Sequence, residues 1–164
     1  MLGEGVTERD KLILRLIYEE QFISLRLISK FYFNDSFQSA SLRMIKLIDS
    51  KFLKYEKLGL PSQPKVLRLT PSGIKVARSV SPYQVKQKRK IAISTLVHDG
   101  LVSEARLNLL KRFDADWIPE KAMKHHALKK IPDGILLFPS KLKIAVEVEN
   151  TIKSKPRYDE MWRE

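Results

Sequence analysis

Cysteine is absent from the 164 residues, which removes disulfides, thiolate zinc sites and cysteine nucleophiles together. A chain without thiols is compatible with a reducing compartment. Long apolar runs are missing too: nothing approaches 18 uninterrupted apolar residues, and Met1-Leu2-Gly3-Glu4 lacks the basic start and apolar run of a secretory signal. A cytoplasmic protein with no membrane span is therefore expected. Neither a glycine-rich phosphate loop nor a Gly-x-Ser-x-Gly elbow occurs, which argues against nucleotide hydrolysis and esterase chemistry. Acid is scarce against base, 19 Asp/Glu to 31 Lys/Arg, for a net charge of +12. The length suffices for one ordinary domain or two small ones with a buried core.

A charge of this sign favours a polyanion, because each neutralised phosphate releases counterions. Nucleic acid is the leading candidate; an acidic membrane surface, or no partner at all, is the competing reading of charge alone. Position helps to decide. Residues 1–80 hold 14 Lys/Arg against 8 Asp/Glu, residues 81–100 hold 4 against 1, and the remainder 13 against 10, so most of the excess falls in the first half and the stretch after it.

Residues 7–20 place Leu12, Ile13, Leu16 and Ile17 at helical spacing, with Thr7 and Asp10 set for a capping box. A second helix is predicted over 24–31 through Leu25, Leu27, Ile28 and Phe31, ended by the turn-forming Phe33-Asn34-Asp35-Ser36. A third is predicted over 37–50, with Leu42, Ile45, Leu47 and Ile48 inward and Gln38, Ser39, Arg43 and Lys46 outward. The alternating runs 52–57 and 65–69, joined by a Gly/Pro/Ser-rich turn at 59–64, make a hairpin. Three helices and a hairpin define a winged helix-turn-helix, and Thr70-Pro71-Ser72-Gly73 opens a fourth helix to residue 80.

In such a module the third helix enters the major groove of double-stranded DNA and the hairpin touches the backbone. Gln38, Ser39 and Arg43 become candidate base readers, and Lys46, Lys51, Lys54, Lys57, Lys65 and Arg68 candidate phosphate contacts. The alternative is a solvated charged face on a module used for protein contacts, since fold does not dictate function. Phe31, Tyr32, Phe33 and Phe37 read as core rather than as base-stacking platforms.

Ser79-Val80-Ser81-Pro82 breaks the fourth helix and Lys86-Gln87-Lys88-Arg89-Lys90 is a dense basic run. The chain therefore divides into a winged helix at 1–80, a basic linker at 81–90 and a second domain at 91–164. A long helix is predicted over 87–112, with Ile91, Leu96, Leu101, Val102, Ala105 and Leu109 for packing. Gly100 costs it about 1 kcal/mol relative to Ala, enough to suggest a kink or a split. Residues 117–123 are predicted as a strand that Pro119 confines to an edge or a bulge.

Chemistry concentrates at Ile131-Pro132-Asp133-Gly134 and Ile144-Ala145-Val146-Glu147-Val148-Glu149-Asn150. Asp133 and Glu147 lie equally far from Ser140, so an antiparallel pairing about that turn sets them opposite each other on one face. Like charges so placed repel unless a cation sits between them. Glu149 continues that face, while Ile144, Val146 and Val148 read as core. The cluster offers hard oxygen ligands suited to Mg²⁺ or Mn²⁺. Solvated acids at strand ends are the plainer reading, and Asp-Gly after Pro is also an ordinary turn signal. The adjacent His125 and His126 would point apart on an extended segment, which argues against a shared metal. His98 reads as a packed or surface histidine.

With His98-Asp99, Trp117 and Glu120, Pro132-Asp133-Gly134, the strand Ala145-Val146-Glu147-Val148-Glu149, and Lys153-Ser154 with Arg157-Tyr158, the chain resembles the replication-relaxation family of plasmid and mobile-element proteins. In that family a winged helix precedes a domain similar to the PD-(D/E)XK nucleases. The resemblance implies an α+β protein with a small nuclease-like α/β domain. It makes Asp133 and Glu147 the metal-binding acids, with Mg²⁺ or Mn²⁺ as cofactor if the domain is active. Glu149 falls where such a nuclease has lysine, a departure because a carboxylate cannot steady a developing phosphorane. Lys153 is the candidate substitute, and Glu104 or Glu120 the candidate further acid. A final helix is predicted over 154–163, with Pro156 near its start, and a further strand is expected after it, so that a partner chain closes the sheet or the chain is a shortened form.

The expected function is DNA binding at a plasmid or mobile-element site, in replication or DNA relaxation, with metal-dependent phosphodiester cleavage if the second domain is active. The alternative is a non-enzymatic regulator or replication accessory factor, whose second domain serves for homodimer formation or for contact with replication or mobilisation proteins.

Overall fold

In the computed structural model, which describes residues 5–57, 65–123 and 130–150, each helix of the first half begins where the sequence offers a cap. Helix α1 (Glu8–Glu20) starts at Thr7, whose hydroxyl accepts from the Asp10 N–H while the Asp10 carboxylate accepts from the Thr7 N–H at 2.7 Å. Ser24 caps α2 (Leu25–Tyr32), Ser36 caps α3 (Phe37–Asp49) and Thr70 caps α4 (Pro71–Val80). Strands β1 (Ile23–Ser24), β2 (Leu53–Glu56) and β3 (Val66–Leu69) form an antiparallel sheet in the order β1-β3-β2, with Ile23 and Tyr55 both opposite Leu67. One core joins these elements through Ile13, Ile17, Ile28, Ala40, Met44, Leu47, Leu53 and Leu67. Burying that apolar surface supplies the main driving force.

The third helix is rotated relative to its predicted facing. Its buried residues are Ala40, Met44 and Leu47, whereas Leu42 and Ile45, expected inward, are exposed, as is Phe37. Two apolar stripes run along this helix, and the one through Ala40, Met44 and Leu47 is the one packed into the core.

Residues 81–90 lie against the first half rather than forming a free tether. Val85 is buried, its N–H donates to the Tyr18 hydroxyl at 2.9 Å, and the Lys88 N–H donates to the Gln21 side chain at 2.8 Å. The long helix α5 (Ile93–Arg112) therefore begins six residues later than predicted. Lys86, Lys88, Arg89 and Lys90 in a first helical turn would oppose the helix dipole, and the extended path gives the Lys88 N–H and two carbonyls side-chain partners. The helix runs unbroken through Gly100.

Beyond α5, β4 (Asp116–Pro119), α6 (Glu120–Met123), β5 (Gly134–Leu137) and β6 (Lys143–Val146) follow, with the three strands antiparallel in the order β4-β5-β6. The strand predicted over 117–123 thus ends at Pro119, which sits on an edge strand as its missing N–H requires, and the rest turns into α6. Trp117, Val102 and Leu136 form a second core between sheet and α5. The Trp117 indole lies against Gly134 so closely that a methyl group there would overlap the ring. The chain is a mixed α+β protein with two small three-stranded sheets. Among the described residues no helix is long and apolar enough to cross a membrane.

Candidate functional site

Two places gather the predicted site residues: the outer face of α3 with the β2–β3 hairpin, and the start of the β5–β6 hairpin. On α3, Gln38, Ser39 and Lys46 are exposed, and Lys51, Lys54, Lys57 and Lys65 are exposed on or beside the hairpin. The Lys65 ammonium stands 5.9 Å from the Tyr55 ring centroid and Lys54 is 3.8 Å from Glu56, so both cations remain near the surface. Beside α3 a concavity of about 430 Å³ is lined by Arg9, Asn34, Ser39, Leu42, Arg43 and Lys46.

Two arginines assigned to DNA serve the fold instead. Arg43 donates through Nε to Asp10 at 2.9 Å and through Nη2 to both the same carboxylate and the Gly5 carbonyl. Burial tends to raise the Asp10 pKa, but the hydrogen bonds from Arg43 and Thr7 outweigh it and hold the carboxyl below its ordinary value. The same pairing raises the Arg43 pKa, so this residue braces α3 onto α1 with its charge neutralised locally. Arg68 is only 6% exposed. It donates to Glu56 at 2.8 Å and to the carbonyls of Lys88 and Arg89, which is why the basic segment lies where it does. A guanidinium so occupied is not offered to a phosphate.

At the second place the strand register is the predicted one. Gly134 pairs with Val146 and Leu137 with Lys143, a register that, continued one step past its last pair, sets Asp133 across from Glu147. The Phe138 N–H donates to the Leu142 carbonyl at 2.9 Å, and Lys141 takes a positive φ of 67° at the turn. Asp133 Oδ1 lies 2.9 Å from His98 Nε2, and Oδ2 accepts from the Val148 N–H at 2.8 Å. Glu147 faces Lys130 at 3.6 Å. Ile144, expected in the core, is exposed on the edge strand β6, whereas Val146 and Val148 pack against the second core.

The further candidate acids separate. Glu120 sits beside the pair, its N–H donating to the Asp133 carbonyl at 3.2 Å. Glu104 does not: it turns toward the first half and pairs with Lys30 at 2.8 Å. Glu149 is exposed one step beyond Val148. Lys153, His125 and His126 lie outside the described residues. Among the described residues no three His, Asp or Glu side chains gather as a metal-ligand set.

The pairing of His98 with Asp133 escaped sequence reasoning, since no spacing rule links residues 35 positions apart. So did a buried ionic cluster between the halves. Arg106 on α5 donates to Glu20 at 2.7 Å and to Glu19; Glu19 also accepts from Arg15 at 2.8 Å and from the Ser81 hydroxyl at 2.7 Å, and Lys121 stands 3.5 Å from Glu20. The available signal was two adjacent acids, Glu19 and Glu20, at the end of an otherwise apolar helix face. Comparison with known protein families, with curated proteins and with solved structures returned no match.

Proposed function

We propose that the chain is a double-stranded-DNA-binding protein whose first half is a winged helix-turn-helix, with α3 in the major groove and the β2–β3 hairpin on the backbone. The observation that carries this reading is the element order α1, β1, α2, α3, β2, β3, with β3 central in the sheet and α3 turning an uncovered face to solvent beside exposed lysines. The net charge of +12 supports it, because those lysines supply the counterion release on which affinity for duplex DNA depends. In keeping with the resemblance to replication-relaxation proteins, its role is that of a regulator or accessory factor at a plasmid or mobile-element site. Residues from 91 onward then serve for assembly with a second copy or with replication or mobilisation proteins.

A cleaving role for the second half is favoured by one observation, the register that brings Asp133 opposite Glu147. The donors present fit Mg²⁺ or Mn²⁺ poorly. Both oxygens of Asp133 are already hydrogen-bonded, Glu147 faces Lys130, and Glu149 stands where a nuclease of this kind needs lysine. The Asp133 carboxylate joins α5 to the hairpin, a structural task.

The test is incubation of supercoiled plasmid with wild type and Asp133→Ala in Mn²⁺, with binding measured at several salt concentrations. Salt-dependent binding by both without nicking is the expected result. Nicking that Asp133→Ala abolishes would replace the regulator reading by a metal nuclease, and an absence of salt-dependent binding would overturn DNA as the partner.

A further inference from the structure

The face that α3 turns outward is not the polar face expected of a helix bathed in water. At 3.6 residues per turn, Gln38, Leu42, Ile45 and Asp49 fall within about 60° of one another, opposite the buried Ala40, Met44 and Leu47. Leu42 is 56% exposed and Ile45 is 45% exposed, so the centre of the stripe consists of two aliphatic side chains. Aliphatic side chains grouped at the centre of an exposed helix face offer apolar surface to whatever contacts that face.

Size and charge indicate the occupant. Leu42 and Ile45, even with Phe37 at the flank, make a small patch, whereas a stable protein interface buries about 800 Å² on each partner. Lys46 and Ser39 flank the stripe on one side and lead into the concavity lined by Arg9, Asn34 and Arg43; Ser41 and the exposed Phe37 lie on the other side. An apolar centre about two residues wide beside a polar recess, with exposed Lys46 at its edge, matches the major groove of duplex DNA, where one apolar group, the thymine C5-methyl, projects among hydrogen-bonding edges and the phosphates run alongside.

We propose that Leu42 and Ile45 read thymine C5-methyl groups, so that the site bound by this protein carries thymine beneath the middle of α3. The inference rests on the DNA-binding reading above. Gln38, one turn earlier on the same stripe, is placed to pair with an adenine edge, and Arg43 takes no part in base reading because Asp10 holds it.

The experiment selects a bound duplex from a randomised pool with wild-type protein at fixed salt. That duplex is then resynthesised with deoxyuridine in place of thymidine, which removes the C5-methyl and nothing else. Expected are thymine in the selected site, a loss of roughly fourfold in affinity for each methyl lost beneath the stripe, and a Leu42→Ser/Ile45→Ser variant that no longer distinguishes the two duplexes while keeping the wild-type salt slope. Equal wild-type affinity for both duplexes, with salt-dependent binding intact, overturns the methyl reading and leaves DNA binding standing. Failure of wild type to bind any duplex in a salt-dependent way overturns both. Loss of self-association in the serine variant with unchanged DNA affinity would make the stripe a protein contact and overturn the proposal. The comparison of duplexes on wild type needs no variant, so the result does not depend on the substitutions being tolerated.

Discussion

Replacing Arg106 by alanine removes the shared partner of two buried carboxylates, Glu19 at 0% and Glu20 at 2% exposure. Burial alone works against the Arg106 charge, yet Glu20 and Glu19 outweigh it, so the guanidinium is held above its ordinary value. Breaking a buried ion pair from one side costs about 3–5 kcal/mol, because the remaining charge is stranded away from water. Here the lower end applies. Glu19 keeps Arg15 and the Ser81 hydroxyl, and Glu20 keeps Lys121 at 3.5 Å, so neither carboxylate is left wholly alone. A loss of about 3 kcal/mol, at 2–4 °C per kcal/mol for a chain of this size, lowers the melting temperature by roughly 6–12 °C. The assay is thermal and urea denaturation followed by circular dichroism, with an earlier urea midpoint at an unchanged slope. Arg106→Lys should fall between the two, since one ammonium lacks the fork that reaches both acids. A melting temperature for Arg106→Ala within about 2 °C of wild type would refute the reasoning.

Three further outcomes are expected. The Asp10 pKa is depressed in the folded chain, so the stability it contributes is present above the ordinary carboxylate value of 3.8 and is lost as pH falls below it; Asp10→Asn should melt lower than wild type at pH 7, and the gap should close in melts taken below about pH 3.8. Arg68→Ala should destabilise by about 2 kcal/mol, the scale of a charge-assisted hydrogen bond, and leave the salt slope of DNA binding unchanged, whereas Lys46→Ala or Lys54→Ala should do the reverse and lower the slope by about one; denaturation and salt titration of the same variants separate the two. Gly134→Ala forces a methyl into the Trp117 ring and should cost about 1–3 kcal/mol with a change in tryptophan fluorescence.

Local rules carried far along this chain. Thr7, Ser24, Ser36 and Thr70 mark helix starts because a hydroxyl that accepts from a first-turn N–H acts within three residues of itself. Pro119 marks an edge strand and Ser140 the centre of a hairpin register for the same reason, since each effect is decided by near neighbours in sequence. The register of the β5–β6 hairpin, which points Asp133 toward Glu147, was legible on those grounds alone. The basic excess, likewise, depends on no fold at all.

The sequence by itself therefore determined helices α1 to α4, the capping box of α1, the two hairpins and the sign of the charge, but neither the start of α5 nor the turn of residues 120–123 into α6. Tertiary structure alone decided which stripe of α3 is buried, because Leu42 and Ile45 are as apolar as Met44 and Leu47 and only the arriving core chooses between them. It also decided what each charge does. Arg43 and Lys46 look alike in the chain, yet one is closed by Asp10 from 33 residues away while the other stays exposed; Arg68 is buried by the carbonyls of a segment 20 residues on, and Glu104 is drawn away from Asp133 by Lys30. An ion pair forms wherever folding leaves two charges within a few ångströms, and that distance is a property of the packed chain, set by no spacing along it.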